Sequence, residues 1–326
     1  MKAIVIREPG GVDVLELRDV PDPIPTRGEV CVRIRATAVN RADLLQRMGA
    51  YPAPPGAPTD IPGLELAGEI ESLGDGVTDL AVGDRVFGLA GGGTYAQKVV
   101  VPSRTLARMP SGISFTDAAA IPEAFLTAYD ALVVQGRLQA GERVLVSAVG
   151  SGVGTAAVQI IRALGARAFG TARSGDKIER AKALGLIDGV VPDGARFATA
   201  VTKLVGGGVN VVIELVGGAY VAEDLACIAA RGRIVVVGLM AGTHADVDLG
   251  IVLGKRATIV GTMMRARPLE EKILAARMLE ENLAPLIADE KLVPVIDRVL
   301  SLEKAREAHT LMASSETFGK IVLEVP

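Results

Sequence analysis

Two observations predict an α/β chain that joins a small β domain to a doubly wound parallel sheet. From residue 123 to 265, apolar strand candidates begin near 143, 167, 189, 210, 233 and 257, with helical patterns between them. Strand–helix alternation at that spacing is what a parallel sheet covered by helices on both faces requires. Before residue 120 the pattern is instead one of short strands separated by Gly-rich turns, as in a small barrel or sandwich.

The elements follow in order. Met1–Arg7 is a short apolar strand cut off by a charge and then Pro9. Residues 30–36 alternate with period two, which places Val30, Val32 and Ile34 on one face. Gly74-Asp75-Gly76, Val82-Gly83-Asp84 and Gly91-Gly92-Gly93 punctuate further strands at 65–73, 85–89 and 95–101. Residues 52–62 carry five prolines, making a stiff segment with few backbone donors. In the second stretch, Val144-Leu145-Val146 and Ile234-Val235-Val236-Val237 are continuous apolar runs, suited to strands buried on both faces. Val153, Ala156, Ala157, Ile160, Ile161 and Leu164 fall at helical spacing. The six strands fit one Rossmann-type dinucleotide-binding domain over residues 123–265. The last 60 residues hold a helix at about 268–283, a strand near 293–299, a helix at 302–313 and a final strand, 320–325. That last strand is expected to rejoin the β domain, which would then be discontinuous, 1–122 with 266–326.

Composition narrows the function. The 326 residues are 49% apolar and 22% charged, ample for packed cores. Thirty-five Lys plus Arg against 38 Asp plus Glu leave a net charge of −3, which argues against a nucleic-acid partner. Two cysteines, Cys31 and Cys227, and two histidines, His244 and His309, preclude a four-cysteine zinc lobe or a three-imidazole site. The N-terminus has no secretory pattern, and no apolar run approaches the ~18 residues of a membrane span. A cytoplasmic protein without a membrane partner is expected.

After the strand at Arg143–Ser147 comes Ala148-Val149-Gly150-Ser151-Gly152-Val153-Gly154 and then a helix. Such a turn brings backbone N–H groups up to a pyrophosphate at the helix N-terminus, where the macrodipole favours negative charge. It does not complete the G-x-G-x-x-G fingerprint, but at the first strand–helix junction of a six-unit array it predicts cofactor binding by Gly150, Ser151, Gly152 and Val153. About 20 residues on, where NAD-preferring folds place an acid, the chain reads Gly170-Thr171-Ala172-Arg173-Ser174-Gly175-Asp176-Lys177. Arg173 and Lys177, with Ser174 as a short donor, are placed to meet a 2′-phosphate, the alternative being solvated charges at a helix start. NADPH is therefore the expected cofactor.

Several segments, in this order, resemble the zinc-independent quinone oxidoreductases of the medium-chain dehydrogenase/reductase superfamily, in particular the p53-inducible type. They are Ala38-Val39-Asn40-Arg41-Ala42-Asp43, Pro62-Gly63-Leu64-Glu65-Leu66-Ala67-Gly68, Val82-Gly83-Asp84-Arg85-Val86, Ala118-Ala119-Ala120-Ile121-Pro122, Thr127-Ala128-Tyr129, the glycine turn and Gly319-Lys320-Ile321-Val322. The resemblance implies a GroES-like β domain joined to the dinucleotide domain, with the active site in the cleft between them. At the positions where zinc-dependent relatives carry metal ligands stand Asn40 or Arg41 and Leu64, so no metal is expected. Asn40 would reach the nicotinamide ribose or the substrate, and Asp43 accompanies it, or both merely cap a turn. Glu65 is either a buried acid at the site or a strand residue. Thr127, Gly238, Leu239, Met240, Met263, Met264 and Arg265 would line the nicotinamide end, although methionines are as readily core. Tyr51, at the hinge of the Pro-rich loop, would face the nicotinamide, bonding a carbonyl or stacking on the ring, or else pack on the neighbouring prolines. His309 is read as a surface or core residue.

The leading expectation is NADPH-dependent reduction of a quinone or related electrophile. Reduction of an activated C=C bond uses the same architecture, and a non-catalytic NADPH-binding protein is a third reading. The apolar strand 257–263 should lie at a sheet edge and pair across a twofold axis in a homodimer.

Overall fold

The structure, a computed structural model, describes all residues from Met1 to Pro326. The chain divides into two compact units, Met1–Leu126 with Met264–Pro326, and Thr127–Met263. Residues 123–126 and 264–265, which the strand pattern assigned to the dinucleotide domain, belong to the first unit. Their hydrogen bonds give the reason: the Glu123 N–H donates to Glu65, and the Arg265 side chain to the carbonyls of Gly91 and Tyr51.

The first unit is built on a seven-stranded sheet. Its path runs Ile296–Ser301, Lys320–Glu324, Glu29–Val39, Glu65–Leu73, Arg85–Leu89 and Leu106–Arg108, with Lys98–Pro102 also pairing Glu29–Val39. The final strand lies antiparallel to Glu29–Val39, with Ile321 opposite Val39 and Leu323 opposite Thr37. The last stretch of chain therefore closes the sheet begun by the first. The strand expected near 293–299 starts at Ile296, because Pro294 cannot donate to a ladder. The helix expected at 268–283 is regular over Leu269–Met278 and then loosens into a wider turn, Leu279–Leu283. A core of Ile4, Val30, Val32, Ile34, Leu66, Val86, Tyr95, Ile321 and Leu323 fills the interior.

The second unit is a six-stranded parallel sheet. In chain order its strands are Arg143–Val146, Arg167–Thr171, Leu186–Val190, Val209–Glu214, Ile228–Val236 and Thr258–Gly261. Numbered one to six, they lie in the order 3-2-1-4-5-6. Right-handed crossovers to both sides of the first strand produce this order, and the direction in which strands are added reverses between the parallel strands one and four. Val144, Leu145, Val146, Val211, Val212 and Ile213 are fully buried, as continuous apolar runs require. Thr258–Gly261 occupies one edge.

Candidate active site

In the second unit the glycine-rich turn is built at the strand-order reversal. Ala148 takes a left-handed conformation (φ 53°), which turns the chain sharply out of the first strand. Ser151 caps the helix Gly152–Ala163, its Oγ accepting the Gly154 N–H at 3.0 Å. A Cβ on Gly154 would stand 2.4 Å from the Ala148 carbonyl oxygen, so glycine is needed for the helix to pack this closely. The cap leaves the N–H groups of Gly152 and Val153 without acceptors at the positive end of a 12-residue helix. These residues fit a pyrophosphate.

The second strand ends at Thr171, and Ser174 stands at the N-cap of the helix Gly175–Lys182, with Arg173 and Ser174 exposed and Lys177 half-buried. The Arg173 guanidinium acts on the Tyr220 phenol from nearby. Leu239, Met240 and Met263 are exposed beyond the ends of strands five and six, Gly238 sits against the backbone of Leu215, and Thr127 is buried in the helix Pro122–Tyr129. The Glu214 carboxylate accepts the N–H groups of Val216 and Gly217. Burial drives the Asp224 carboxyl beside it far above the ordinary carboxylate range, and Glu214 adds to the shift.

Met264 and Arg265 correct the sequence reading. Both are buried in the first unit rather than presented at the sheet edge. The Arg265 guanidinium is committed to Gly91 O at 2.9 Å, Tyr51 O at 3.2 Å and Gln46 Oε1 at 2.6 Å. It lies 5.2 Å from the centre of the Tyr51 ring. Gln46 in turn donates to Thr59 O at 3.1 Å. The Pro-rich loop, poor in donors of its own, is thus held by side chains at both ends.

Asn40, Asp43 and Glu65 come together around a residue to which the sequence assigned no role, Lys320. Its ammonium donates to Asn40 Oδ1 at 2.6 Å, Glu65 Oε1 at 2.8 Å and Val39 O at 3.2 Å. Asn40 Nδ2 donates to the same Glu65 oxygen at 2.8 Å, and the Glu123 N–H takes the other at 2.8 Å. Glu65 is fully buried and is also the first residue of the strand Glu65–Leu73, so both descriptions apply to it. Asn40 stands at the N-cap of the helix Arg41–Arg47 and forms a capping box with Asp43, so the capping reading holds, while its side-chain amide also bonds Glu65 and Lys320. Leu64, beside them, is buried and offers no ligand atom.

Asp43 is removed from the residues that can touch a substrate, because it is fully buried. Its carboxylate accepts the Asn40 N–H at 2.8 Å, the Gly63 N–H at 3.2 Å and the Tyr95 hydroxyl at 3.2 Å. Burial pushes its pKa up to about 6. Behind Tyr95 lies His309, fully buried, with Nε2 at 3.3 Å from the phenol and Nδ1 at 3.3 Å from Arg47. A guanidinium only donates, so Nδ1 accepts and Nε2 carries the proton. Every bond then points one way: Arg47 to His309, His309 to Tyr95, Tyr95 to Asp43.

Tyr51 is half-buried, and burial raises its phenol above the usual value. Its backbone is pinned while its hydroxyl makes no hydrogen bond within the protein. Sequence reasoning missed Lys320, Glu123 and the Tyr95–His309 relay. The available signals were a lysine opening an otherwise apolar strand and a glutamate directly after the proline of a helix start.

A two-unit chain with a dinucleotide turn in one unit and an acidic cluster in the other has the architecture of a nicotinamide-dependent oxidoreductase. Residues 26–111 match the alcohol dehydrogenase GroES-like domain, and residues 152–281 the zinc-binding dehydrogenase domain. The human quinone oxidoreductase is 33% identical over 343 residues, covering 99% of this chain and 97% of that protein. A polyketide synthase of Streptomyces halstedii is 37% identical over 329 residues, 99% of this chain but 6% of its own length. Among solved structures, an NAD-dependent alcohol dehydrogenase superposes with a TM-score of 0.89 at 34% identity, covering 100% of both chains. A mycobacterial protein solved with NADPH superposes with a TM-score of 0.88 at 30% identity, covering 99% and 100%. The chain belongs to the quinone oxidoreductases of the medium-chain dehydrogenase/reductase superfamily. No helix is long and apolar enough to cross a membrane.

The buried relay makes stability pH-dependent. Burial, with the Arg47 charge, lowers the His309 pKa to about 3, so its stabilising contribution is complete above the unfolded value near 6.5. It is lost as pH falls from there toward 3. His309→Gln keeps an acceptor and a donor but cannot titrate, so thermal unfolding between pH 7 and 4 should show wild type losing Tm faster than the variant. Parallel curves would remove His309 from the acid response.

Proposed function

We propose that this chain reduces quinones with NADPH, without a metal, as a cytoplasmic homodimer. The observation that carries the reading is the Tyr51 hydroxyl, unspent on a backbone held by Arg265 beside a cluster whose other side chains are nearly all committed. Bound NADPH supplies a hydride. The protein's own task is to orient the acceptor and stabilise the oxygen that becomes negative. Tyr51 does this by donating its O–H to the acceptor carbonyl. Gly152 and Val153 N–H groups hold the pyrophosphate, Ser151 fixes their direction, and Leu239, Met240 and Met263 supply apolar surface for the nicotinamide. Arg173 and Lys177 meet the 2′-phosphate, with no acid between Gly170 and Gly175 to compete.

The buried, unpaired thiols of Cys31 and Cys227 suit a reducing compartment. Dimerisation through the edge strand is supported by its open side and by the exposure of Ile259 on it and of Leu249 and Leu253 on the helix before it. A monomeric mass in light scattering at micromolar concentration would count against the dimer. A second reading, reduction of an activated C=C bond, uses the same architecture, with the same hydroxyl protonating carbon.

An acceptor panel followed by NADPH absorbance separates the readings: 1,2-naphthoquinone should be turned over well and acrolein poorly, and the reverse result establishes the C=C reductase. Tyr51→Phe should lower quinone turnover about 3- to 30-fold, as for one hydrogen bond, with NADPH affinity little changed. Unchanged kinetics would take Tyr51 out of the site. In Arg173→Ala/Lys177→Ala, the preference for NADPH over NADH should fall roughly 10- to 150-fold, the value of a charge-assisted bond. Equal use of both cofactors by wild type would refute the assignment.

A further inference from the structure

Among the polar side chains of the first unit's cluster, two keep unspent proton-bearing groups. One is Tyr51; the other is Glu123. Asn40, Asp43, Glu65, Tyr95, Lys320 and Arg265 all direct their side chains into the protein. The Glu123 carboxyl has no hydrogen-bond partner there, yet the residue is partly open to solvent. It is held at the first turn of the helix Pro122–Tyr129 by its own N–H, which is bonded to Glu65. Tyr51 and Arg265 both lie within electrostatic range of it.

We propose that Glu123 is the acid that protonates the acceptor oxygen during reduction, alongside the Tyr51 hydroxyl that orients it. This role rests on the quinone reading above. Hydride delivery leaves one acceptor oxygen with a negative charge. The O–H bond of Glu123 then breaks, a new O–H bond forms on that oxygen, and the carboxylate regains its proton from solvent. NADPH is the reductant, so electrons and protons balance.

The surroundings keep this acid protonated at neutral pH. Glu65 faces it from its strand and Asp43 from the helix Arg41–Arg47, both negative, while Lys320 and Arg265 oppose them from the terminal strand and the start of the last segment. Lys320 is already paired to Glu65, and Arg265 to carbonyls and Gln46. Burial, then the Glu65 charge, push the Glu123 pKa up to about 8. Asp43, at about 6, is ionised at the same pH and has no exposed atoms.

The test uses the full-length protein and Glu123→Gln, which preserves shape but carries no acidic proton. Quinone turnover by wild type should fall as pH rises through about 8. E123Q should turn over about 100-fold more slowly at neutral pH, the low end of general-acid catalysis. It should also lack that descending limb, while NADPH binding followed by fluorescence stays unchanged. Glu123→Asp should restore the limb. Infrared spectra of the protein without cofactor supply a readout independent of turnover. A protonated-carboxyl band lost from wild type through about pH 8 should be missing from E123Q, while the Asp224 band persists in both. Turnover and pH profile in E123Q equal to wild type, or no such difference band, overturns the role alone. Failure of wild type itself to reduce the quinone overturns the quinone reading and this role with it.

Discussion

The buried ammonium of Lys320 is the contact on which the first unit's chemistry depends. It ties the last strand of the chain to the loop at Asn40 and to Glu65, drawing together residues up to 281 positions apart. Side-chain exposures of 5% for Lys320 and 0% for Glu65 mean that neither charge is solvated by water. Removing one partner of such a pair typically costs about 3–5 kcal/mol, because the other is left buried and uncompensated. Glu65 uses both oxygens: one for Lys320 and Asn40, the other for the Glu123 N–H. The lysine charge is spent on Glu65 in this way, and the acid beside it stays neutral chiefly because it is buried, with the Glu65 charge adding to the shift.

Rigidity in the cluster is distributed unevenly, and the unevenness has chemical meaning. Asp43 collects donors from three directions, and the one-way relay from Arg47 through His309 and Tyr95 aims a positive charge's influence at it. The Pro-rich loop lacks donors, so Arg265 and Gln46 supply them from outside. Side chains held this way lose little further entropy when a ligand arrives, which is the condition for a preorganised site. Only Tyr51 and Glu123 retain hydrogen-bonding capacity for something that is not protein.

The second unit obeys simpler constraints. Its turn works through backbone groups, so few side-chain identities matter beyond the glycine that lets helix and strand approach, the serine that caps, and the apolar strands beneath. A Cβ on Gly170 would stand 2.1 Å from a Val149 methyl, which shows how tightly the second strand packs behind the same turn. Glu214 holds the loop after strand four by accepting its N–H groups, and the buried Asp224 carboxyl beside it is kept protonated.

The sequence by itself determined the six-strand array, the position of the glycine turn, the absence of an acid after the second strand and the return of the terminal strand. Each is written in local periodicity, turn residues or spacing, and a parallel sheet with right-handed crossovers leaves few ways to assemble them. Tertiary structure alone decided what the side chains do. Arg265 looked like a residue at the nicotinamide edge and proved to be the clasp of a loop more than 200 positions earlier. Asp43 carried a family motif and proved unreachable. Lys320 sat within a segment that carries the family resemblance and Glu123 directly after one, yet nothing local marks a lysine as the counter-charge of Glu65, 255 residues away, or a helix-start glutamate as a neutral acid. Charge state and hydrogen-bond direction depend on which groups end up a few ångströms apart and on how much water remains between them. Those are properties of the folded chain and not of any window along it.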